Sequence, residues 1–375
     1  MQSMVKVPFI DLARQNATIK DELLSAVSNV LDSGQFIHGK EVQEFECAFA
    51  DLCGARFVLG VNSGTDALIM ALRALEIGKG DEVITVANSY VTTASSVAYV
   101  GAKPVFIDVK DDYTMDPVLL KPAITERTKA IIPVHLTGRP ADMTAICKIA
   151  KEHHLYVVED AAQAAYAELN GKKVGLFGDI GCFSFHPLKV LNACGDGGAL
   201  MTNNEKIHEK LLLYGNNGIF NRNYCKVWSP NSRLDTIQAA ILLVKMKYVP
   251  SWIKARQKNA DIYRKLLSGE RHVQCPVDKV NEKSTYHLFV IQADHRDQLK
   301  DYLTEQGIGT AIHYPIPIHF QEAAKALGYQ PGSLPVTERQ SQRILSLPVY
   351  PELGEDNIRY VAETIKKFYQ KKEWS

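Results

Sequence analysis

The sequence predicts an α/β fold: a large domain with a mostly parallel central sheet between helices, followed by a smaller C-terminal α/β domain. Three observations support this prediction. Short runs rich in β-branched residues alternate with helical patterns between residues 57 and 202, as in sheets whose parallel strands are linked by helices. A nearly continuous helical pattern then covers Leu234–Leu267. With 375 residues, the chain exceeds the usual size of one domain, so we expect two, over residues 1–250 and 251–375.

The predicted elements follow the periodicity of the apolar residues. Short β-branched runs predict strands over Phe57–Val61, Glu82–Val86, Pro104–Asp108, Ala130–Val134, Tyr156–Glu159, Gly181–Phe185 and Ala199–Thr202. Helical spacing predicts helices over Asp66–Leu75, Thr93–Tyr99 and Ala141–His153. In the C-terminal part, the pattern predicts a strand over Tyr286–Gln292 and helices over Arg296–Gln306 and Glu355–Gln370. Pro250 lacks a backbone donor and predicts a break in the long helical stretch.

The composition argues against several classes of partner. The formal net charge is +1, so the chain lacks the basic excess that nucleic-acid or membrane-surface binding uses. No apolar run approaches the roughly 20 residues that span a bilayer. The seven cysteines are scattered, without C-x-x-C spacing or the clustered Cys and His ligands of a zinc site. We therefore expect a cytoplasmic protein with reduced thiols and without a metal, nucleic-acid or membrane partner.

The segment NSGTDAL, at residues 62–68, has the features of an anion-binding site. It follows a predicted strand and opens a predicted helix, whose first backbone N–H groups have no partner within the helix. Gly64 allows close approach of the backbone, and Thr65 offers a hydroxyl. The glycine spacing matches neither a Walker loop nor the dinucleotide fingerprint. A phosphate seat and an ordinary helix N-cap by Ser63 or Thr65 explain this segment equally well.

Two carboxylates, Glu159 and Asp160, lie at the end of another predicted strand. A carboxylate at the end of a buried strand is unfavourable unless it is paired, and a protonated pyridine nitrogen is one suitable partner for Asp160. Strand alternation directs Glu159 to the opposite side of the sheet. Capping of the following helix explains Asp160 about as well.

Lys189 follows a predicted strand and lies in a largely apolar loop. A poorly solvated lysine has a lowered pKa, which favours Schiff-base chemistry, although most lysines are simply exposed charges. Ser184, five residues earlier, can reach the same anion as Gly64 and Thr65. Tyr90 follows a further strand, where its ring would stack on a planar ligand or pack in the core. Together, these segments supply what pyridoxal phosphate requires: an anion seat, a partner for the ring nitrogen and an imine-forming amine.

The same segments resemble those of the DegT-type nucleotide-sugar aminotransferases, a fold-type I pyridoxal-phosphate family. The matching stretches occur in order along nearly the whole chain: QFIHGKEVQEFE (Gln35–Glu46), NSGTDAL, VVEDAAQA, GCFSFHPLKVLNACGDGGALMTNN, NSRLDTIQAAIL, GIGTAIHYPIPIHFQ and LSLPVYPEL. The lysine segment with its Gly-Asp-Gly-Gly tail is the most specific of them. The resemblance implies the fold-type I transferase fold, with a large cofactor-binding domain and a smaller C-terminal domain.

The resemblance also implies roles for individual residues. Lys189 would bind the cofactor as a Schiff base and move the proton, while Asp160 would pair with the pyridine nitrogen and Gln163 with the phenolic oxygen. The other implied cofactor contacts are Gly64, Thr65 and Ser184 to the phosphate, Tyr90 to the ring, and Asn231 to the phosphate of a neighbouring subunit. The contact of Asn231 would make the active site a property of a homodimer. The residues implied at the sugar pocket are His313, Tyr314 and His319.

The implied reaction transfers an amino group from L-glutamate to the ketone of a nucleotide-linked keto-sugar. NSGTDAL, ANSY and NSRLD favour relatives that aminate C3 of a dTDP-linked 3-keto-6-deoxyhexose, and C4 amination of a nucleotide-linked 4-keto sugar is the near alternative. Some relatives carry histidine in place of Lys189 and perform dehydration, so the lysine favours transamination. The alternatives from other classes are a sugar dehydratase that uses the same cofactor and a non-catalytic regulator that binds it.

Overall fold

The computed structural model describes residues 6–371. Its helices are α1 Leu12–Ala17, α2 Lys20–Ser33, α3 Lys40–Cys53, α4 Gly64–Ala74, α5 Thr92–Tyr99, α6 Leu120–Ala123, α7 Met143–Glu152, α8 Glu205–Gly215, α9 Thr236–Met246, α10 Val249–Leu266, α11 Arg296–Glu305, α12 Pro335–Ser341 and α13 Glu355–Lys371. Its strands are β1 Phe57–Val61, β2 Glu82–Val86, β3 Lys103–Ile107, β4 Thr128–Ile131, β5 Tyr156–Asp160, β6 Glu168–Leu169, β7 Lys172–Lys173, β8 Ile180–Ser184, β9 Gly198–Thr202, β10 Ile219–Asn221, β11 Tyr224–Cys225, β12 Val273–Gln274, β13 Glu282–Lys283, β14 Phe289–Ala293 and β15 Ile344–Leu347.

The main sheet has seven strands in the order β1-β9-β8-β5-β4-β2-β3. The pairs β2–β3, β2–β4, β4–β5 and β5–β8 are parallel, whereas β9 runs antiparallel to both of its neighbours. The predicted α/β fold with a mostly parallel sheet is therefore confirmed. Parallel strands place their carboxyl ends at one edge of the sheet, which is where such sheets bind ligands.

Helices cover both faces of this sheet because successive strand residues point to opposite sides. In β8, Phe183 packs with the aromatic residues Phe45 and Phe49 of α3. The neighbouring Cys182 packs on the other face, with Leu68 of α4 and residues of α8. The strands are buried on both sides, which explains their continuously apolar sequences.

Two of the predicted element boundaries differ from the structure for reasons that the backbone shows. Pro250 lies in the first turn of α10, where its missing N–H costs nothing, so the helix breaks before it, around Lys247 and Tyr248. The strand predicted from Tyr286 begins only at Phe289. Tyr286 has a positive φ of 47°, which is incompatible with a strand.

The C-terminal part contains a second, antiparallel sheet in the order β12-β14-β15. Its apolar residues pack with α10, α11 and α13 in one cluster. Val7 joins this cluster through backbone hydrogen bonds with Gly307 and Gly309, although it precedes the main sheet in sequence. The domain boundary at residue 250 stays a prediction.

Within residues 6–371, no helix is both long and apolar enough to cross a membrane. The same residues contain no cluster of three or more His, Cys, Asp or Glu side chains suited to a metal ion. All seven cysteines are free thiols. The cytoplasmic location expected from the sequence stays a prediction.

Candidate active site

Nine of the eleven predicted site residues line one cavity of about 430 Å³. The cavity lies beyond the carboxyl ends of β1, β2, β5 and β8, as expected for a parallel sheet. The nine are Gly64, Thr65, Tyr90, Asp160, Gln163, Ser184, Lys189, His313 and Tyr314. Most of them follow a strand directly, so the sheet brings together residues that are more than 100 positions apart in sequence.

The first wall of the cavity is the N-terminus of α4. Ser63 is the N-cap, since its Oγ accepts a hydrogen bond of 3.1 Å from the backbone N–H of Asp66. Gly64 packs so tightly on Ser184 that a Cβ at position 64 would lie 2.7 Å from the Ser184 Cβ. Thr65 is exposed on the cavity side. The cap and the anion seat are therefore compatible, because Ser63 caps the helix while Gly64, Thr65 and Ser184 converge where the helix dipole favours an anion.

Asp160, the last residue of β5, is 5% exposed and presents its carboxylate to the cavity. Its Oδ2 accepts a hydrogen bond of 2.7 Å from the Thr93 hydroxyl, which in turn lies 2.9 Å from the Ser89 Oγ. Its Oδ1 accepts a hydrogen bond of 3.2 Å from the backbone N–H of Ala162. A carboxylate can accept about four hydrogen bonds, so Asp160 retains capacity for a cationic ligand.

Glu159 faces away from the cavity, as strand alternation predicts. It is fully buried and accepts hydrogen bonds from three backbone N–H groups between Gly175 and Gly178, at 2.6–2.7 Å. The Nε2 of His135 lies 3.0 Å from the same carboxylate. The Nδ1 of His135 accepts a hydrogen bond from the backbone N–H of Ala141, so Nε2 carries the proton and donates it to Glu159. Because all of these partners belong to the protein interior, Glu159 has a structural role beneath the site.

Gln163 is held in one orientation at the cavity wall. Its Oε1 accepts a hydrogen bond of 2.8 Å from the backbone N–H of Thr137, and its Nε2 donates one of 3.2 Å to the Tyr314 hydroxyl. The Tyr314 ring lies 5.6 Å from that of Tyr90, which is exposed to the cavity. On the same wall, the Nδ1 of His313 lies 2.8 Å from the Ser346 Oγ. Burial lowers the pKa of His313 to about 4, so its ring is neutral near pH 7.

Lys189 provides the amine of the cavity. Burial lowers its pKa to about 8, while the nearby Asp160 opposes the shift. Among the described residues, no hydrogen-bond or ion-pair partner is found for its Nζ. The backbone around it is fixed, because the Lys189 carbonyl accepts a hydrogen bond of 2.9 Å from Asn192 Nδ2. A positioned amine with this pKa is roughly half neutral at pH 8, where it can act as a nucleophile or a base.

Two predicted site residues lie outside the cavity. Asn231 is exposed and is not part of the wall around Lys189 of its own chain. His319 is 3% exposed, and its Nε2 lies 3.2 Å from the Glu338 carboxylate. Both contacts predicted for these residues, one with a neighbouring subunit and one with the sugar, stay predictions.

The cavity also contains polar residues that the sequence analysis did not assign to the site, among them Thr93, Arg256 and His287. Thr93 lies four positions after Ser89, in the segment that follows β2. This pair of hydroxyls beyond a strand end could have indicated polar contacts in the site. Arg256 and His287 also line the cavity, but they come from α10 and from the turn before β14. No local pattern marks them, since their place opposite Lys189 depends on how the C-terminal sheet packs.

These groups fit pyridoxal phosphate. The Gly64–Ser184 contact at a helix N-terminus suits a phosphate, and Asp160 suits a protonated ring nitrogen. The Lys189 amine, which has no partner within the described residues, suits an aldehyde.

Comparison with known proteins supports this chemistry. The chain matches the model of the DegT/DnrJ/EryC1/StrS aminotransferase family over residues 17–366. A UDP-N-acetyl-3-dehydro-alpha-D-glucosamine 3-aminotransferase of Acidithiobacillus ferrooxidans and a pleiotropic regulatory protein of Geobacillus stearothermophilus are each 43% identical, over 98% of this chain and 99% of theirs. A dTDP-3-amino-3,4,6-trideoxy-alpha-D-glucose transaminase of Streptomyces venezuelae is 38% identical over 98% of this chain and 97% of its own.

Solved structures agree with the sequence relatives. S. venezuelae DesV, in complex with a ketimine intermediate, superposes with a TM-score of 0.95 at 38% identity, over 96% of this chain and 98% of that one. The NtdA protein of Bacillus subtilis, with bound cofactor PMP, has a TM-score of 0.89 at 32% identity, over 97% of this chain and 86% of that one. The chain belongs to the DegT/DnrJ/EryC1/StrS aminotransferase family and is a pyridoxal-phosphate-dependent aminotransferase.

Proposed function

We propose that this enzyme moves an amino group from L-glutamate to the C3 ketone of a nucleotide-linked 3-keto sugar, with a dTDP-linked 3-keto-6-deoxyhexose as the first candidate. The observation that carries the proposal is the Lys189 amine, which lies in the cavity near the buried Asp160 carboxylate and has no partner among residues 6–371. A transaminase needs such an amine both to bind an aldehyde and to move a proton.

The proposed roles of the cavity residues follow from their geometry. Gly64, Thr65 and Ser184 hold the cofactor phosphate, and Tyr90 covers the ring. Gln163 presents its Nε2 to the cavity because the backbone N–H of Thr137 holds its Oε1. Each role uses a group that the fold already orients, so binding requires little rearrangement of these side chains.

When bound, pyridoxal phosphate supplies an aldehyde that condenses with amines and a ring that withdraws electrons. Asp160 keeps a negative charge beside the ring nitrogen and so maintains the proton there. The Thr93 hydroxyl holds Oδ2 of that carboxylate at 2.7 Å and so fixes its position. Lys189 Nζ would take the proton from the α-carbon of the amino donor and deliver it to the carbon on the other side of the donor nitrogen, which a pKa of about 8 permits near neutral pH.

The same amine argues against the two alternatives from other classes. By resemblance, the dehydratases of this family carry histidine in place of Lys189. A regulator that only binds the cofactor would not need Asp160 and Gln163 to be held as they are. The relative from G. stearothermophilus is named as a regulatory protein, so the regulator is the alternative that an assay must address.

The proposed position of amination rests on the relatives. The A. ferrooxidans protein is named as a 3-aminotransferase of a UDP-linked sugar, and the S. venezuelae protein as a transaminase of a dTDP-linked 3-amino sugar. Both names share the C3 position and differ in the nucleotide. We therefore place C3 before C4, and dTDP before UDP because of the motifs NSGTDAL, ANSY and NSRLD.

We further propose that the enzyme is a homodimer whose active sites are shared. Asn231 is exposed and lies away from the cavity of its own chain, as expected for a residue that reaches a neighbour's phosphate. Its segment is fixed, since the adjacent Ser232 Oγ donates a hydrogen bond of 2.7 Å to the Asp66 carboxylate.

The test is a substrate screen with purified holoenzyme and glutamate. The acceptors are dTDP-linked 3-keto and 4-keto 6-deoxyhexoses and a UDP-linked 3-keto sugar, and products are identified by mass spectrometry and NMR. Formation of a 3-amino sugar supports the proposal, and the preferred nucleotide identifies the substrate. Exclusive formation of a 4-amino sugar, or loss of a hydroxyl without amination, would overturn it. A cofactor spectrum that no amino donor changes would favour the regulator.

A further inference from the structure

Arg256, on α10, is a buried cation for which the described part of the chain provides no charge partner. Its side chain is 4% exposed and lines the same cavity as Lys189. Among the described residues, no carboxylate lies within 4.0 Å of its guanidinium. Burial lowers its pKa to about 10, and the more distant Glu352 only partly opposes this shift. A buried guanidinium is unfavourable unless it is paired, so the arrangement calls for an anion.

The contacts of Arg256 leave one edge of the guanidinium free. Its Nη1 donates hydrogen bonds to the carbonyls of Tyr286 and His287, at 3.1 and 3.4 Å. No partner among residues 6–371 is found for Nε or Nη2. Nε and Nη2 form the edge that binds a carboxylate through two parallel hydrogen bonds. The two carbonyls therefore orient the side chain and leave a bidentate carboxylate site on the cavity wall.

The groups around this edge are basic or neutral nitrogen groups rather than carboxylates. His287, whose carbonyl holds Arg256, has a pKa far below its usual range because it is buried and lies near Lys189, Arg256, His313 and His186. Its Nδ1 is buried without a hydrogen-bond partner among the described residues. Of the described residues that line the cavity, Asp196 is the one carboxylate besides Asp160. The charged group on this part of the wall is therefore the Arg256 guanidinium, which is suited to an anion other than the cofactor phosphate, whose proposed seat is at Gly64 and Ser184.

We propose that Arg256 binds the α-carboxylate of the amino donor and so selects α-amino acids for the reaction. This inference rests on the proposed transfer from glutamate. The reacting carbon of the donor must lie at Lys189 Nζ, and the α-carboxylate is bonded directly to that carbon. A group that binds it must therefore share the cavity of Lys189, as Arg256 does. The diphosphate of a nucleotide-sugar is several bonds away from the ketone and bulky, which suits the mouth of the cavity rather than a nearly buried side chain.

The test compares wild-type holoenzyme with Arg256→Lys and Arg256→Gln, without any sugar. The change of the cofactor spectrum is followed after mixing with glutamate, glutamine or isoglutamine, in which a carboxamide replaces the α-carboxylate. Lys254 and Lys258 are exposed cations on the same helix, so Lys258→Gln is the matched control for the loss of one positive charge. Circular dichroism and the unreacted cofactor spectrum report whether each variant folds and retains the cofactor.

Loss of a bidentate charged pair predicts that both Arg256 variants react with glutamate and glutamine roughly 10- to 100-fold less efficiently, mainly through KM. Their efficiency with isoglutamine should change little, and Lys258→Gln should match the wild type. If the role of Arg256 were purely structural, the variants would lose efficiency equally with all three donors, and this result would overturn the inference. Arg256→Lys keeps a donor for the two carbonyls, so it tests the site even if Arg256→Gln does not fold.

Binding measurements separate the donor from the nucleotide. Calorimetry of the holoenzyme with glutarate and with dTDP should show that Arg256→Lys weakens glutarate binding by at least about tenfold and leaves dTDP binding unchanged. The reverse pattern would assign Arg256 to the nucleotide and overturn the inference while leaving transamination intact. A wild-type spectrum that does not respond to glutamate would instead refute the proposed donor, and the inference with it.

Discussion

Glu159 and Asp160 are neighbours in β5, but their carboxylates lie on opposite sides of the sheet and are held by different partners. Glu159 is fully buried between His135 and three backbone N–H groups. Asp160 faces the cavity, where Thr93 and Ala162 hold it. One step along a strand thus separates a structural carboxylate from the one available to the cofactor.

This separation predicts different effects of two matched substitutions. Glu159→Gln places an amide donor against backbone donors and should lower the free energy of unfolding by roughly 3 kcal/mol. Asp160→Asn should leave stability nearly unchanged but reduce kcat about 100-fold, because the charge beside the ring nitrogen is lost. Denaturant unfolding of both variants and single-turnover kinetics measure the two effects. Equal losses of stability would show that the two carboxylates do not have separate structural and catalytic roles.

The pKa of Lys189 predicts how cofactor capture depends on pH. Below about pH 8 the amine is protonated and not nucleophilic. The rate at which cofactor-free enzyme forms its imine with pyridoxal phosphate should therefore rise up to about pH 8 and then level off. A rate that keeps rising toward roughly pH 10.4, the usual lysine pKa, would contradict the burial of this amine.

The same shift makes the stability of the cofactor-free enzyme depend on pH. Because folding lowers the pKa of Lys189, the unfolded chain binds more protons between about pH 8 and 10.4. Relative to Lys189→Met, the cofactor-free wild type should gain stability as the pH rises through this window. Denaturant unfolding of both proteins at pH 7.5 and 9.5 provides the comparison. A constant difference in stability would count against the shift.

The shared active site predicts complementation between two inactive variants. Lys189→Ala removes the amine, and Asn231→Ala should weaken retention of the neighbour's cofactor. In a mixed dimer, the site that keeps Lys189 of one subunit receives the intact Asn231 of the other. Mixing the variants under conditions that exchange subunits should restore roughly a quarter of wild-type activity, by random assortment with one intact site per mixed dimer. Activity no greater than that of the separate variants would argue for sites contained within one chain.

The strands and the residues that follow them could be predicted from the sequence. The predicted bounds of β1 and β2 are identical to those in the structure, because a β-branched run between polar turns strongly favours a strand. The place of Gly64, Asp160 and Lys189 in one site was also predictable, because each lies at or just after the end of a strand and such strands end at one edge of the sheet. Helix α3 was not predicted, although Val42, Phe45 and Phe49 share its buried face at helical spacing.

The rest of the site depends on packing that no local pattern encodes. Arg256 and His287 lie on the cavity because the turn at Tyr286, with its positive φ, presents two carbonyls to α10. The predicted strand from Tyr286 had placed these carbonyls in a sheet. His319, implied at the sugar pocket by resemblance, lies outside the cavity beside Glu338, and its sugar contact stays a prediction. Contacts between distant segments are thus what the sequence analysis missed.

Reduction of the holoenzyme with borohydride tests the central claim most directly, because it fixes the cofactor to the amine that binds it. Peptide mapping by mass spectrometry should then find the pyridoxyl group on Lys189, and prior incubation with glutamate should prevent the labelling. A label on another lysine, such as the buried Lys245, or labelling that glutamate does not affect, would contradict transamination through Lys189.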